Sequence, residues 1–521
     1  VESGRMRALD VEVVGALAAS PPGHGRAALE AAWRQRTLVA RLRSQSSEVP
    51  GTASRLPMAD DKPKHQPPTS RLGRLARLAA LAPKGIPLAL EGAKRVLGRG
   101  KQPEPPSDED RKKLAKDAKK AAEALLKTLG EMKGLPLKLG QMVSYIDGIA
   151  PPGYEERFQA ELKKLLDRAP PLSPEAAVTV IRQEFGMHPD ELFAEWEAEP
   201  FAAASIGQVH RALTKAGERV AVKVQYPGID KAIEADLKSL QFFQSMLSPV
   251  TKKLHSQQTL DEIAQVFRDE LDYGREAEMG DIFRRIHHGD PNVVIPRVHH
   301  GLTSKRVLTT DLLGGASYAD FCASGSQEHR NLAGKTLWAF TFRALLRHGY
   351  LYADPHPGNY RFLDDGRVGF LDFGCVKVMP APLVGDMKRY MRAAIDADWH
   401  EFDRACVEVL GYDPDDETWD LYRSYTLELL MPLMTHDEWV CSRDKARETV
   451  SYLSRGLQKI AFKDGEMPSL PKVPKMPQDF TFVNRLQWGL ASVMAGLGTV
   501  ARFRPIIEPL IRDGVHPVPE L

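Results

Sequence analysis

The sequence has 521 residues and a net charge of +2, so it is long enough for two or three domains, and its overall charge gives no reason to expect a nucleic-acid partner. Hydrophobic residues make up 43% of the chain and charged residues 27%, which is ordinary for a globular protein. The four cysteines lie far apart without a CxxC pair, which excludes a zinc knuckle or disulfide framework and favours a reducing compartment such as the cytoplasm.

Residues 1–107 are expected to form a disordered tail and a linker, because their later part is rich in proline and basic side chains. Residues 1–57 contain no clear apolar core of the kind that a secretory signal needs. Met58 is a candidate native start. Two interpretations are open for the residues before it, namely translated upstream sequence or a tail of the protein.

One basic segment, residues 71–98, is predicted to be an amphipathic helix within this tail. Its leucines recur every third residue from Leu72 to Leu81, and residues 71–101 carry eight basic side chains against the single acid Glu91. Such a helix can lie on an anionic surface, for example the inner face of a membrane. A helix that covers another helix and keeps its arginines in water fits the pattern as well.

Helical periodicity dominates residues 108–195 and the stretch from about 230 to 288, whereas residues 219–226 and 306–313 are short β-branched runs typical of strands. Residues 360–374 predict two strands joined by a turn at 364–366. Helical patterns then continue to the end. The uncharged stretch 486–501 is shorter than the roughly 20 residues of a membrane span, which predicts a buried or interfacial helix.

The alanine-rich segment FAAASIGQVHRA, residues 201–212, resembles the phosphate loop G-x-G-x-x-G-x-V of protein kinases. Alanines replace its first two glycines, and Gly207 and Val209 occupy the places of the third glycine and the valine. Small residues allow backbone N–H groups to approach phosphate oxygens. The predicted nucleotide-binding residues of this loop are Ala202, Ala203, Ala204, Ser205, Gly207 and Val209.

A candidate nucleotide-binding lysine follows on the next predicted strand, within VAVKVQY. Lys223 lies 14 residues after Val209 and matches the V-A-I-K pattern, in which the ammonium pairs with the α- and β-phosphates of ATP. A strand lysine is usually a solvated edge residue. The valines on both sides of Lys223 predict a buried strand instead.

Two further segments match the kinase catalytic loop and the magnesium-binding motif. In HGYLYADPHPGN, Asp354 and Asn359 are five residues apart. The kinase catalytic loop H-R-D-x-x-x-x-N has the same spacing between the aspartate that orients the acceptor proton and the asparagine that reaches a second magnesium ion. A surface turn is the alternative for this segment alone. Asp372 begins D-F-G and is predicted to bind Mg²⁺. The order of the four segments predicts an α+β, bilobal, protein-kinase-like fold with a mostly helical C-terminal lobe.

A kinase also needs a carboxylate, on a helix after the lysine strand, that holds the lysine in place. Glu270, Asp272 and Glu276 are the candidates, and all three are predicted site residues. The sequence does not decide among them.

A more specific family resemblance comes from the segment LPLKLGQMVS, residues 135–144, which carries K-x-G-Q with Lys138 and Gln141. Together with APPGYEERFQAELKKLLDRAPP, the alanine-rich loop, the E-x-D of Glu270 and Asp272, DPHPGN and D-F-G, it resembles the signature set of the UbiB/AarF atypical kinases over residues 125–383. The resemblance implies an N-terminal helical extension over the nucleotide pocket, with Lys138 and Gln141 near the phosphates. It also implies that Glu270 and Glu276 serve Lys223 and Lys138, in an undecided pairing.

The predicted organisation is a tail and linker at 1–107, the K-x-G-Q extension at 108–195, an N-lobe at 196–315, a C-lobe at 316–475 and a C-terminal helical segment at 476–521. After D-F-G, only CVKVMPAP precedes the next helix and no A-P-E follows. The platform on which protein kinases hold peptides is thus missing, which disfavours phosphorylation of proteins.

The resemblance implies an atypical kinase or ATPase that uses ATP and Mg²⁺ and acts on a small lipid-like or quinone-precursor molecule. It further implies a role in isoprenoid quinone biosynthesis or lipid homeostasis, in association with a membrane surface or a biosynthetic protein complex. An ATP-binding regulator or chaperone-like scaffold without phosphoryl transfer is the alternative. A protein kinase is the weakest of the three interpretations.

Overall fold

The computed structural model describes residues 173–238 except 205, residues 264–461 except 266, residues 474 and 477, and residues 479–520. The predicted basic helix at 71–98, the K-x-G-Q segment with Lys138 and Gln141, and Ser205 lie outside the described residues. What was predicted for them stays a prediction.

The described helices and strands fall into a first part dominated by a sheet and a second part dominated by helices. The first part comprises α1 Pro174–Phe185, α2 Pro189–Leu192, β1 Glu195–Trp196, β2 Ala202–Ala203, β3 Gly207–Leu213, β4 Arg219–Gln225, α3 Tyr273–Ile286, β5 Val293–Val294 and β6 Val307–Asp311. The second comprises α4 Tyr318–Ser324, α5 Gln327–His348, β7 Tyr350–Tyr352, β8 Tyr360–Phe362, β9 Val368–Phe370, β10 Val376–Val378, α6 Ala381–Asp396, α7 Trp399–Glu408, α8 Trp419–Met434, β11 Trp439–Val440, α9 Arg443–Ala461, α10 Phe480–Leu497, β12 Val500–Ala501 and α11 Arg504–Arg512. Residues 229–238 and 264–270, apart from 266, are also helical.

The first part is built on an antiparallel five-stranded sheet in the order β1-β3-β4-β6, with β2 paired to β3. The predicted strands at 219–226 and 306–313 are confirmed as β4 and β6. Successive side chains of a strand point to opposite faces. The valines of β4, Val220, Val222 and Val224, are fully buried in a cluster with the apolar side chains of α1. Lys223 therefore projects from the opposite face of β4.

Helix α3 packs beside the sheet and begins later than the sequence pattern suggested. The prediction of one helical stretch from about 230 to 288 is wrong here, because the helix that ends at residue 270 is followed by a break at 271–272. Asp272 is the N-cap of α3, and its carboxylate accepts a hydrogen bond from the backbone N–H of Arg275. An aspartate in a local turn can satisfy such free N–H groups, so it favours a new helix start over continuation of the old helix.

The second part is organised around α5, whose buried apolar side chains between Leu337 and Leu346 lie in the largest hydrophobic core of the described residues. The predicted hairpin is confirmed as β8 and β9, with the Gly366 N–H bonded to the Leu363 carbonyl in the turn. The prediction of helices alone beyond residue 374 is wrong in detail, since β10 pairs with β7 and β11 pairs with β12.

The C-terminal apolar segment forms α10, which contributes Leu486, Leu490 and Leu497 to the same core. It is a buried helix, one of the two forms that the sequence predicted. None of the helices in the described ranges combines the length and the hydropathy that a bilayer crossing requires.

Candidate functional site

Lys223 lies at the centre of a cluster of charged side chains between β4, α3 and the end of β9. Its Nζ atom lies 2.9 and 3.0 Å from the two carboxylate oxygens of Glu276 and 3.0 Å from Oδ2 of Asp372. Lys223 and Asp372 are 149 residues apart in the sequence, and Glu276 is 53 residues from Lys223. The fold thus brings together three side chains that the sequence predicted for one nucleotide site.

Of the three acids that were candidates to hold the lysine, the structure brings Glu276 to it. Glu276 lies one helical turn after the N-cap Asp272 and is only 3% exposed. Asp272 itself caps α3, so its carboxylate has a structural role at the helix start. Glu270 is buried in the preceding helical segment and lies close enough to raise the pKa of Glu276.

The electrostatics of the cluster keep the lysine charged. Burial alone would lower the pKa of Lys223, but Asp372 and Glu276 raise it well above its usual value. Burial, and next the neighbouring Asp372 carboxylate, raise the pKa of Glu276 to about 7, although Lys223 opposes this shift. When both acids are ionised around the one ammonium, the site carries a net negative charge that a bound cation can neutralise.

The catalytic-loop candidates lie between β7 and β8. Asp354 is buried, and its backbone carbonyl accepts a hydrogen bond of 3.0 Å from the side-chain amide of Asn359. The backbone N–H of Leu371 donates to the carbonyl of Asn359, and Tyr360 pairs with Phe370 in the hairpin. The hairpin therefore places Asn359 and Asp372 at the same end.

Asp372 is held in its orientation by the two residues that follow it. Its Oδ1 atom accepts a hydrogen bond from the backbone N–H of Gly374 at 3.0 Å, while Oδ2 faces Lys223. The ring of Phe373 is buried against Phe283 and Tyr352, with ring centroids 5.2 and 5.9 Å away. This packing leaves the carboxylate as the group of the D-F-G motif that faces the lysine.

The described residues of the alanine-rich loop, which exclude 205, run along β3, the strand next to the lysine strand. The Ala204 N–H bonds to the Gly207 carbonyl at 2.8 Å, and Ala202 and Ala203 pair with Val209 and Gln208. Val209 in turn lies opposite Lys223, and directly opposed residues of an antiparallel pair point to the same face. Ala202, Val209 and Lys223 thus lie on one face of the sheet.

The donors near Asp372 suit a magnesium ion that arrives with phosphates. The described residues contain no group of three or more histidine, cysteine, aspartate or glutamate side chains arranged to hold a metal. Phosphoryl-transfer sites usually bind Mg²⁺ through one or two carboxylates together with substrate phosphates. Asp372 supplies such a carboxylate, and the amide oxygen of Asn359, at the same end of the hairpin, is a second oxygen donor.

One residue of the site, and one that holds the chain just after D-F-G, escaped the sequence analysis. The Tyr273 ring lies beneath Lys223, with Nζ 4.9 Å from its centroid, and the Arg275 guanidinium donates to the Val376 carbonyl at 2.9 Å. Both follow the helix start at Asp272. The N-cap signal at that aspartate was the one pattern that pointed to them, because it fixes which residues form the first turn of α3.

Comparison with known proteins gives consistent matches. Residues 164–405 match a family described as the ABC1 atypical kinase-like domain. An aarF domain-containing protein kinase of Arabidopsis thaliana, named as chloroplastic and uncharacterised, is 32% identical over 348 residues, or 66% of this chain and 46% of that protein. The mitochondrial atypical kinase COQ8B of Rattus norvegicus is 30% identical over 66% of this chain and 64% of its own length.

A solved structure is also similar to this chain. It is a Mycobacterium tuberculosis protein in complex with erythromycin, 27% identical, with a TM-score of 0.55 over 77% of this chain and 98% of that chain. The chain spans less than two thirds of the length of either curated relative, and about half of the Arabidopsis one.

Proposed function

We propose, given that residues 164–405 belong to the UbiB/AarF family of atypical kinases, that this protein binds ATP with Mg²⁺ beside Lys223 and acts as an atypical kinase or ATPase. The mixed α/β fold is kinase-like, in agreement with the sequence prediction. The observation that carries the proposal is the contact of the Lys223 ammonium with both Glu276 and Asp372. In kinases a lysine–glutamate pair and a magnesium-binding aspartate must be in place together.

Each residue of the cluster has a role that follows from its position. Lys223, fixed by Glu276, would pair with the α- and β-phosphates of the nucleotide, and the alanine-rich loop would cover them. Asp372 and Asn359 would hold Mg²⁺, which supplies charge neutralisation for the phosphates when bound. Asp354 would orient the acceptor and take up its proton.

The acceptor is proposed to be a small lipid-like or quinone-precursor molecule, in isoprenoid quinone biosynthesis or lipid homeostasis, as the family resemblance implies. In support, β10 ends at Val378 and α6 begins at Ala381, so little chain separates D-F-G from the next helix. The bilobal arrangement, the domain boundaries, the K-x-G-Q extension, the cytoplasmic location, the protein complex and the membrane contact belong to the same proposal.

The alternative function is an ATP-binding regulator or scaffold without phosphoryl transfer. The same contacts of Lys223 and Asp372 would serve nucleotide binding alone. Turnover of ATP separates the two functions: hydrolysis or transfer by purified protein favours the enzyme, whereas tight binding without turnover favours the scaffold.

The test combines nucleotide binding with turnover. We expect ATP to raise the melting temperature only with Mg²⁺, because Asp372 and Asn359 would hold the metal together with the phosphates. A ligand at about 100 times its Kd stabilises the folded state by about 2.7 kcal/mol. Asp372→Asn should lose this effect. Asp365→Asn, at the far turn of the same hairpin and paired with Arg367, is the matched control and should keep it.

Turnover is then measured with and without anionic liposomes and a quinone-precursor-like phenol. Stimulation by the phenol would support the small-molecule acceptor. Equal stabilisation of wild type and Asp372→Asn by Mg-ATP would contradict the assignment of the site.

A further inference from the structure

The site contains one buried aromatic side chain without an assigned role. Tyr273 is the first residue of α3, is 1% exposed, and is anchored by its backbone N–H, which donates to the Lys305 carbonyl at 3.0 Å. Its ring lies 4.9 Å from the Lys223 Nζ atom. The carboxylates of Glu276 and Asp372 contact the same ammonium, so the ring is its third neighbour among the described side chains.

The hydroxyl of Tyr273 does not account for the presence of a tyrosine at this position. It is buried and has no hydrogen-bond partner among the described residues. Burial raises its pKa, so it stays protonated. A buried hydroxyl without an acceptor is a cost to folding, so the ring is the part that has a favourable contact.

The hydroxyl also lies against the alanine-rich loop. A Cβ atom built on Gly207 would lie 2.9 Å from the Tyr273 hydroxyl oxygen. The hydroxyl therefore occupies space that a side chain at position 207 would need. Tyr273 therefore touches both parts of the site that were predicted to bind phosphates, the lysine and the loop.

We propose that Tyr273 is a positioning residue for Lys223. Its ring holds the ammonium by a cation–π contact, and the absence of a side chain at Gly207 leaves the room that the ring and its hydroxyl occupy. The expected effect on nucleotide affinity rests on the proposed function. The Tyr273–Lys223 contact itself is testable without nucleotide. A desolvated cation–π contact is strong enough to change the behaviour of a lysine several-fold.

The direct test measures how fast Lys223 is modified by an amine-reactive acylating reagent, followed by mass spectrometry in the absence of nucleotide. Tyr273→Leu, which removes the ring, should raise the labelling rate of Lys223 about threefold or more, since the amine is then less firmly held in its contacts and reaches the reagent more often. Tyr273→Phe keeps the ring and should label at the wild-type rate. Tyr273→Met is a second ring-free variant if Tyr273→Leu does not fold.

Tyr226→Leu is the matched control, because it removes another buried tyrosine from the same hydrophobic cluster. Labelling of Lys223 in this variant should match wild type. The inference is overturned if Tyr273→Leu and Tyr273→Met label like wild type, if Tyr273→Phe rises as much as they do, or if Tyr226→Leu does so.

The same assay separates this inference from the proposed function. Mg-ATP should protect Lys223 of the wild type from labelling; if it does not, the nucleotide site is wrong, yet the comparison of the Tyr273 variants still decides the role of the ring. If protection is seen, Tyr273→Leu should weaken ATP binding about three- to tenfold. That loss should vanish in a Lys223→Met background, because residues that act through one contact are not additive. An equal loss in both backgrounds would mean that Tyr273 does not act through Lys223.

Discussion

Replacement of Gly207 by alanine tests the packing at the junction of the alanine-rich loop and the lysine strand. The added Cβ atom would lie 2.4 Å from the Val224 carbonyl oxygen and 2.9 Å from the Tyr273 hydroxyl, where contacts under 3.0 Å force something to shift. The first of these neighbours is backbone of β4, which is paired with β3 from Gly207 to Leu213 and cannot turn away as a side chain can.

The magnitude follows from two opposing effects. Overpacking of a rigid site costs about 1–3 kcal/mol, and a backbone neighbour favours the upper end of that range. Alanine also restricts the unfolded chain, which returns about 0.4–1 kcal/mol. The net loss of unfolding free energy for Gly207→Ala is therefore about 2 kcal/mol, or roughly 2–3 °C in Tm for a folded chain of several hundred residues.

Urea denaturation of Gly207→Ala beside wild type is the assay, with Gly385→Ala as the control. Gly385 is an exposed residue inside α6 with open space around its Cα atom, so alanine there should stabilise by about 0.5–1 kcal/mol. We expect Gly207→Ala to lower the free energy of unfolding and Gly385→Ala to raise it. An unchanged urea midpoint for Gly207→Ala would refute the view that the fold needs a residue without a side chain at this position. The predicted contact with phosphates would then be the only role left for Gly207.

Two pH-dependent effects follow from the buried titratable groups. The pKa of Glu276 is raised to about 7 in the folded state, so its contribution to stability is full below about pH 4.5 and is lost as the pH rises through 7. The unfolding free energy of Glu276→Gln, measured by denaturation, should therefore rise relative to that of wild type between pH 5 and pH 8. A difference between the two proteins that stays constant over this range would contradict the raised pKa of Glu276. For His287, burial and then the charges of Arg343 and His348 lower the pKa well below 6.5, so its stabilising contribution is complete above pH 6.5 and declines below it. His287→Gln should make unfolding less acid-sensitive between pH 6.5 and 5, and an equally steep fall in both proteins would count against a buried neutral histidine.

Much of the site was predictable because short motifs tie chemistry to local structure. The valines around Lys223 predicted a buried strand, and the turn at 364–366 predicted the hairpin that carries Asn359 and Asp372 to one end. Both are local patterns in which neighbouring residues fix the element. The pairing of distant elements then follows from the fold that the motif order indicates.

What the sequence left open depended on the rotation of one helix. The sequence offers three carboxyl side chains, those of Glu270, Asp272 and Glu276, and nothing in it distinguishes them. The helix start at Asp272 decides which one contacts the lysine, because it turns Glu276 toward Lys223. The contact of Tyr273 with Gly207 joins residues of different elements. No periodicity within either segment contains that information, since it arises from how α3 packs on the sheet.

The short connection around D-F-G has a consequence for inhibitors. Leu371 is bonded to Asn359 on one side of the motif, and on the other the Ala353 N–H bonds to the Cys375 carbonyl at 3.0 Å. A crankshaft rotation that exchanged Asp372 with Phe373 would strain these bonds and expose a buried ring, at about 1.5–3 kcal/mol for the ring alone. A compound that occupies the space vacated by that phenylalanine would have to supply this free energy from its own binding. Compounds that leave the aspartate facing the lysine carry no such cost, and they are the better starting point for a chemical probe of this protein.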